Sequence, residues 1–308
     1  MRKNRLFKQI SIIGLGLIGS SLALSIKKNK LADKTIGYAK SIKTRKKARR
    51  LRLVDIVEND LSKTVEGSDL VLICTPLSAY LKIIKSIRPY LKKNSILSDV
   101  GSAKENLIKV LKPLLNNQFD FIPAHPIAGT EKSGPDSGFA ELFVDRWCII
   151  TPIKGNNKKN INKIKTLWKS IGSEVEIMTP ERHDKVMAIT SHLPHLIAYN
   201  IVSTASDLET VTKSDIIKYS ASGFRDFTRI ASSDPTMWRD IFLSNKDAIL
   251  EMIGRFSEDL SVLQKAVRWE DGKTLFQLFS KTRKIRDKIV MSGQDTDAPD
   301  FGRSKKIK

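Results

Sequence analysis

Proton transfer near neutral pH is the natural work of histidine, and this chain of 308 residues has only four. One of them, His125, stands between Ala124 and Pro126 in the stretch FIPAHPIAGTEKSGPDSG, residues 121–138. An apolar run ends at Ile122, and glycines, prolines and hydroxyl residues dominate from there to Gly138. Segments this long without evident regular structure are usually functional or disordered. This one is too poor in charge, and too tightly bracketed by apolar runs, for disorder. His125 is therefore either a structural histidine in a turn or an acid–base group.

The second chemical signature is Gly14-Leu15-Gly16-Leu17-Ile18-Gly19. It follows a short β-branched run starting at Gln9 and precedes SSLALSIKK, which reads as a helix. In such a motif the first glycine makes the tight turn. The second lets backbone approach a pyrophosphate, and the third lets helix and strand pack closely. The helix N-terminus then presents its N–H groups to the phosphates. A nicotinamide dinucleotide is the expected ligand. In NAD enzymes an acidic residue about 20 positions further on holds the ribose 2′-OH. Here Ala39 stands at that place, followed by Lys40, Ser41, Lys43 and Arg45. A missing carboxylate beside cations points to NADP, with NAD still accepted.

The elements that must position these groups follow a repeated strand–loop–helix order. Residues 69–75, DLVLICT, form an apolar strand of the kind buried in a parallel sheet. Thr75 and Pro76 end it, and a helix with Leu77, Leu81, Ile84 and Ile87 inward is expected next. Residues 95–99 form another strand, running into Val100-Gly101-Ser102-Ala103-Lys104 and a further helix. This is the pattern of an α/β, Rossmann-type, doubly wound sheet, whose ligands sit beyond the carboxyl ends of the strands. That rule gathers the glycine loop, Thr75, Pro76, Ser102 and His125 around one crevice. Ser102 taken alone reads equally as a helix N-cap. Strands at 147–151 and 173–178 are expected, the latter as the sheet's last strand, with a helix at 160–171 between them.

From Pro180 onward the chain reads as all helix. Val186, Ile189, Leu193, Leu196 and Ile197 mark one apolar face; Ile249, Leu250, Ile253, Phe256, Leu260 and Leu263 mark another. The expected division is a dinucleotide-binding domain over 1–178 and a helical substrate and dimerisation domain over 179–290. Residues 291–308 lack an apolar period and read as a disordered tail. Three polar constellations fall in the helical part: Ser191-His192-Leu193-Pro194-His195, the run from Gly223 through Arg225 and Asp226 to Arg229, and Asp234-Pro235-Thr236-Met237-Trp238. Each has a purely structural reading as well: a cap, a surface ion pair, a core tryptophan.

Composition sets bounds. Hydrophobic residues at 41% and charged residues at 28% are ordinary for a globular protein. No apolar run approaches the ~20 residues of a membrane-spanning helix. The basic, then apolar, N-terminus reads as a first strand and not a signal peptide, because it continues into the glycine loop. Cys74 and Cys148 both sit in apolar runs and fit a reducing cytoplasm. The formal charge of +21 raises nucleic-acid binding. The cations are spread along the chain, though, and the densest cluster, from Lys40 to Arg52, reads as a solvated basic face. Neither a nucleic-acid partner, a membrane nor a metal is expected.

Five motifs in order resemble the prephenate/arogenate dehydrogenases, a family that includes cyclohexadienyl dehydrogenases accepting both substrates. They are the loop Gly14–Gly19, DVGSAK (99–104), HPIAGTEKSG (125–134), SHLPH (191–195) and GFRDFTRIASSDPTMW (223–238). The similarity spans about residues 9–289. It implies an N-terminal dinucleotide domain, a helical domain that makes a homodimer, and oxidative decarboxylation in tyrosine biosynthesis. It also implies roles at the matching positions. His125 would take the proton of the substrate's ring hydroxyl, and Ser102 would orient that hydroxyl. Arg229 would bind a substrate carboxylate, and Asp226 would position an arginine. His195 and Trp238 would line the pocket, and Thr130 and Glu131 would belong to a loop that gates it. Competing classes are a 3-hydroxyacid or 6-phosphogluconate-type dehydrogenase, a non-catalytic dinucleotide sensor, and a nucleic-acid-binding protein using the basic surface.

Overall fold

The computed structural model describes residues 5–116, 118–212, 218–289 and 291. The tail expected at 291–308 lies, from residue 292 on, outside the described residues.

β1 (Phe7–Ile13), β2 (Ala32–Tyr38), β3 (Ile56–Glu58), β4 (Leu70–Ile73), β5 (Ser95–Asp99) and β6 (Phe119–Ile122) form one six-stranded sheet in the order β3-β2-β1-β4-β5-β6. Every pairing in it is parallel. The strands alternate with helices α1 (Leu17–Lys28), α2 (Ile42–Arg50), α3 (Leu61–Val65), α4 (Tyr80–Ile87) and α5 (Glu105–Leu111). This is the doubly wound dinucleotide topology, with its switch point between β1 and β4. β4 and β5 are buried along their whole length: β4 is a continuous apolar run, while β5 buries Ser98 and Asp99 with hydrogen-bond partners.

The expected final strand of this sheet is not there. Residues 121–138 do not form one long loop, and the strand at 174–177 does not join β6. Instead β7 (Ala124–Pro126), β8 (Trp147–Ile150) and β9 (Glu174–Ile177) make a separate three-stranded sheet in that order. β7 pairs antiparallel with β8, and β8 parallel with β9. Pro123 explains the switch. It has no N–H, so it cannot continue the ladder in which Ser98 faces Ile122. The next donor, the Ala124 N–H, turns to the Asp99 side chain at 3.2 Å. His125 thus sits on a short strand opposite Ile149, not in a flexible turn.

Pro76 is followed by a 3-10 turn before α4 begins. That turn shifts the helix phase, so Tyr80, Ile83, Ile84 and Ile87 face inward while Leu81 is exposed. After β8 come α6 (Lys158–Ser170) and then α7 (Pro180–Met187), α8 (Leu193–Thr212), α9 (Ser222–Thr228), α10 (Pro235–Ser244), α11 (Lys246–Arg268) and α12 (Gly272–Ile289). A π-helical turn, Ala188–His192, joins α7 to α8. The chain divides into two compact units: residues 1–197 with 230–249, and residues 198–229 with 250–308. The first unit takes in α7, the start of α8 and all of α10.

Most of the basic cluster on α2 is engaged within the chain. Only Ala48 of that helix is buried. Arg45 donates to the carbonyls of Ala39 and Lys40, and Arg49 to that of Val57. Lys47 and Arg50 both reach Asp136. The segment after β7 is therefore strapped to the first two helices. Gly138 lies so close to α1 that a Cβ there would come within 2.6 Å of the Ser20 Cβ.

Candidate active site

The glycine loop has the shape its spacing predicts. Gly14 adopts φ +101°, and a Cβ on it would meet the Cys74 carbonyl at 2.5 Å. On Gly19 a Cβ would meet the Gly14 carbonyl at 1.8 Å. On Gly16 it would meet nothing within 4 Å. Two glycines are needed for protein packing, and the middle one borders open space. α1 has no side-chain cap and no acid in its first turn, so its N-terminus is suited to an anion. A dinucleotide's pyrophosphate fits this cradle.

At the end of β2, Ala39 is buried among core residues. The Arg45 guanidinium stands directly on its carbonyl and that of Lys40, at 2.7 and 2.9 Å. Ser41 caps α2 by accepting from the Thr44 N–H. Thr75 and Pro76 lie just past β4 on the same side of the sheet, as the sheet order demands.

The His125 environment goes beyond the sequence reading. His125 Nδ1 lies 2.8 Å from His183 Nε2, and His183 Nδ1 lies 2.7 Å from Asp184 Oδ1. A carboxylate only accepts, so His183 must carry its proton on Nδ1. Its Nε2 is then a lone pair, and His125 must donate to it from Nδ1. The chain Asp184–His183–His125 leaves His125 Nε2 as a free base. The same logic fixes the histidine of a serine-protease triad; here a second histidine is interposed.

Asp184 is itself held. It accepts from the backbone N–H of Lys104 at 2.9 Å and of Glu105 at 2.8 Å, so it caps α5 from a distant part of the chain. The Lys104 side chain is fully buried and donates to Asp99 at 2.7 Å and to the Ala124 carbonyl at 2.6 Å. Asp99 also accepts from Gly101. Both polar backbone groups of Ala124, the neighbour of His125, are thereby tied to the Asp99–Lys104 pair. Ser102 stands half-buried in this braced loop.

A second group lies on the return segment. His195 stacks on Trp238 with ring centroids 3.6 Å apart, and its Nδ1 donates to the Ser191 carbonyl at 2.9 Å. His192 meets the same tryptophan edge-on at 6.1 Å. Asn245 joins this group to the first, since it reaches both His192 and Asp184. Asp240 on α10 accepts from the Ser78 N–H just past Pro76. The structure thus links His125, His195 and Trp238 within one unit through residues that sequence reasoning had not assigned: His183, Asp184, His192, Asn245 and Lys104.

Thr130 is exposed and Glu131 half-buried, in the loop after β7. Asp226 and Arg229 lie in the second unit, in α9 and the 3-10 turn that follows it. Among the described residues no cluster of His, Cys, Asp or Glu could hold a metal ion, and no helix is long and apolar enough to cross a membrane.

Comparison with known proteins agrees with this geometry. Residues 22–177 match the nucleotide-binding domain of prephenate dehydrogenase, and residues 179–281 its dimerization domain. The chain belongs to the prephenate dehydrogenase family. It is 43% identical to the cyclohexadienyl dehydrogenase of Zymomonas mobilis, over 91% of this chain and 95% of that one. It is 33% identical to the prephenate dehydrogenase of Bacillus subtilis, over 94% and 78%. The crystal structure of prephenate dehydrogenase from A. aeolicus, in complex with hydroxyphenyl propionate and NAD+, superposes with a TM-score of 0.87 at 33% identity, covering 93% of this chain and 100% of that one. At these identities a hydroxyacid-type dehydrogenase is not favoured.

In this prephenate dehydrogenase-family site, burial pushes His125 well below the usual histidine pKa, and the charge on Lys104 pushes the same way, as would protonation of His183 or His192. His183 and His192 are also lowered, chiefly by burial, His192 to about 4. Below the ordinary value near 6.5 the unfolded chain takes up protons that the native chain refuses. Stability therefore falls as pH drops through that window, by up to about 1.4 kcal/mol per pH unit for each histidine. We predict that the melting temperature measured by calorimetry declines between pH 7 and 5, before most carboxylates titrate. A flat profile would show that these histidines take up protons in the native chain as readily as in the unfolded one.

Proposed function

We propose that the chain oxidatively decarboxylates prephenate, arogenate or both, with His125 as the base. The observation that carries this reading is the hydrogen-bonded chain Asp184–His183–His125, from which the tautomer of His125 follows. A neutral histidine with Nδ1 committed to His183 has only Nε2 to offer a substrate.

The chain is an NAD(P)-dependent dehydrogenase of the prephenate family. The substrate's ring hydroxyl donates to His125 Nε2. Its proton moves onto that nitrogen as the C–H bond at the same carbon gives up hydride. The nicotinamide cofactor, when bound, accepts the hydride. The bond to the ring carboxylate breaks, its electron pair enters the ring, and carbon dioxide leaves. The proton then returns to the oxygen of the aromatic product, so no net proton is consumed. Prephenate yields 4-hydroxyphenylpyruvate and arogenate yields tyrosine. Ser102 orients the hydroxyl, His195 and Trp238 line the pocket, and Thr130 and Glu131 belong to the loop that gates it. Arg229 binds a substrate carboxylate through its planar fork, and Asp226 positions an arginine.

The Gly14–Gly19 loop holds the pyrophosphate, with Thr75 and Pro76 beside it. NADP is modestly favoured over NAD. The Ala39 side chain offers no acceptor for a ribose 2′-OH, and Arg45, Lys40 and Lys43 supply positive charge nearby. The contact is exposed and therefore weakened by salt. Residues 179–290 form a homodimer. Leu250, Phe256, Leu260, Val267, Phe276 and Phe279 on α11 and α12 are exposed, and so much apolar surface on one unit marks an interface. Light scattering that gave a monomer would refute the dimer. Two free cysteines fit the cytoplasm, which cell fractionation checks.

The deciding assay follows reduction of NADP and of NAD with prephenate, arogenate or neither. Wild type reduces cofactor only with substrate present, NADP somewhat better than NAD. His125→Asn binds cofactor normally but loses about 10²–10⁴-fold in turnover, the usual worth of a positioned base. Near-normal turnover in that variant would remove His125 from the chemistry, and a clear preference for NAD would overturn the cofactor reading.

Arg229→Ala raises KM by about 10- to 150-fold, because a charge-assisted hydrogen bond contributes about 1.5–3 kcal/mol. An unchanged KM with reduced thermal stability would make Arg229 structural.

A further inference from the structure

Asn245 occupies the single position between α10 and α11, with φ −109° and ψ 33°. It is 4% exposed. Its Nδ2 donates to the Asp184 carbonyl at 2.8 Å, an oxygen that can only accept, so the amide orientation is settled. The same Nδ2 lies 3.1 Å from His192 Nδ1. An amide nitrogen has two protons and no acceptor, so its second proton goes to His192, whose Nδ1 must be a lone pair. The His192 proton is then on Nε2, a fully buried atom with no hydrogen-bond partner of good geometry among the described residues.

We propose that Asn245 is a positioning residue that presets His192 as the Nε2–H tautomer and, through Asp184 and His192, aligns the two walls of the catalytic site. Asp184 is the shared node. Its carboxylate orients His183 and through it His125, while its carbonyl receives Asn245. On the other side, the main chain of Ser102 acts on the His192 ring and favours its proton. One amide therefore spans from the base relay to the loop that carries Ser102. The π-helical turn Ala188–His192 makes this possible. Its wider turn advances His192 onto the buried face shared with His183 and Asp184, and such turns recur at functional sites. Tightness also matters, since a misplacement of about 1 Å can cost 10²-fold in rate.

A carboxylate at position 245 reverses the polarity. It repels the Asp184 carbonyl and demands a proton on His192 Nδ1, which leaves a lone pair toward Ser102. The titratable groups acting on His192 are Asp184, His183 and His195, and none of them is altered by the substitution. The test is nitrogen-15 NMR of histidine-labelled full-length protein, with His192→Phe used to assign the resonance, alongside steady-state kinetics. In wild type near neutral pH, His192 is neutral and protonated on Nε2. In Asn245→Asp its proton moves to Nδ1, and kcat falls by about 10- to 100-fold, while cofactor affinity and substrate KM stay close to wild type. Asn245→Ala, which buries no charge, decides the matter if the aspartate variant does not fold: it loses the fixed tautomer and a similar share of kcat. A wild-type His192 protonated on Nδ1, or an Asn245→Ala enzyme with full kcat, overturns the proposal. The kinetic arm rests on the dehydrogenase reading; the NMR arm stands without it, so inactive wild-type enzyme and a wrong tautomer are separate failures.

Discussion

Asp184 is the constraint on which the site depends. A buried carboxylate needs partners for its oxygens, and this one takes three: the His183 ring and two backbone N–H groups at the start of α5. Those bonds fix at once the tautomer of His183, the start of a helix on the main sheet, and the approach of α7 to that sheet. His125 inherits its tautomer from the first of them. Had Asp184 been free to turn, His183 could take either tautomer, and His125 Nε2 could as readily carry a proton as accept one.

A second buried network makes that arrangement rigid. The Lys104–Asp99 pair is inaccessible to solvent and holds both polar groups of Ala124. Such a pair costs desolvation energy, and it contributes little net stability beyond what apolar packing would give. What it supplies is geometry: the chain leaves the main sheet at Pro123 and enters the small one at Ala124 with His125 already aimed. Burial meanwhile keeps His125 neutral. Together these effects yield a histidine that is aligned, unprotonated and of one tautomer before any ligand arrives.

Much of this was legible in the sequence where the signal is local. The glycine spacing, the buried runs of β4 and β5, and the isolated His125 all act through neighbours in the chain. The small sheet was not legible, because three short strands around Pro123, Trp147 and Val175 look like continuations of the large one. The relay was hidden for a different reason. His183 and Asp184 sit in PERHDKVM, whose charges suggest a solvent-facing helix, yet they are its buried face along with Met187. Ile189, read as inward by helical period, is 49% exposed, because the π turn at Ala188–His192 breaks the phase. The available signal was a neighbouring His–Asp pair in a chain with so few histidines. Asn245 gave none, since its partners are 61 and 53 residues away.

The most direct measurement is turnover by Asp184→Asn. Asparagine is nearly the same size, and its oxygen can still accept from the start of α5. Its NH₂ would then face His183 Nδ1 and force the His183 proton to Nε2. His125 would have to accept on Nδ1 and carry its own proton on Nε2, where the proposed reaction needs a lone pair. A relay of this kind predicts a folded protein with unchanged cofactor affinity and a kcat lower by about 10²–10⁴-fold, the range for loss of a correctly protonated base. A kcat close to wild type would contradict it, and would mean that His125 works without the relay.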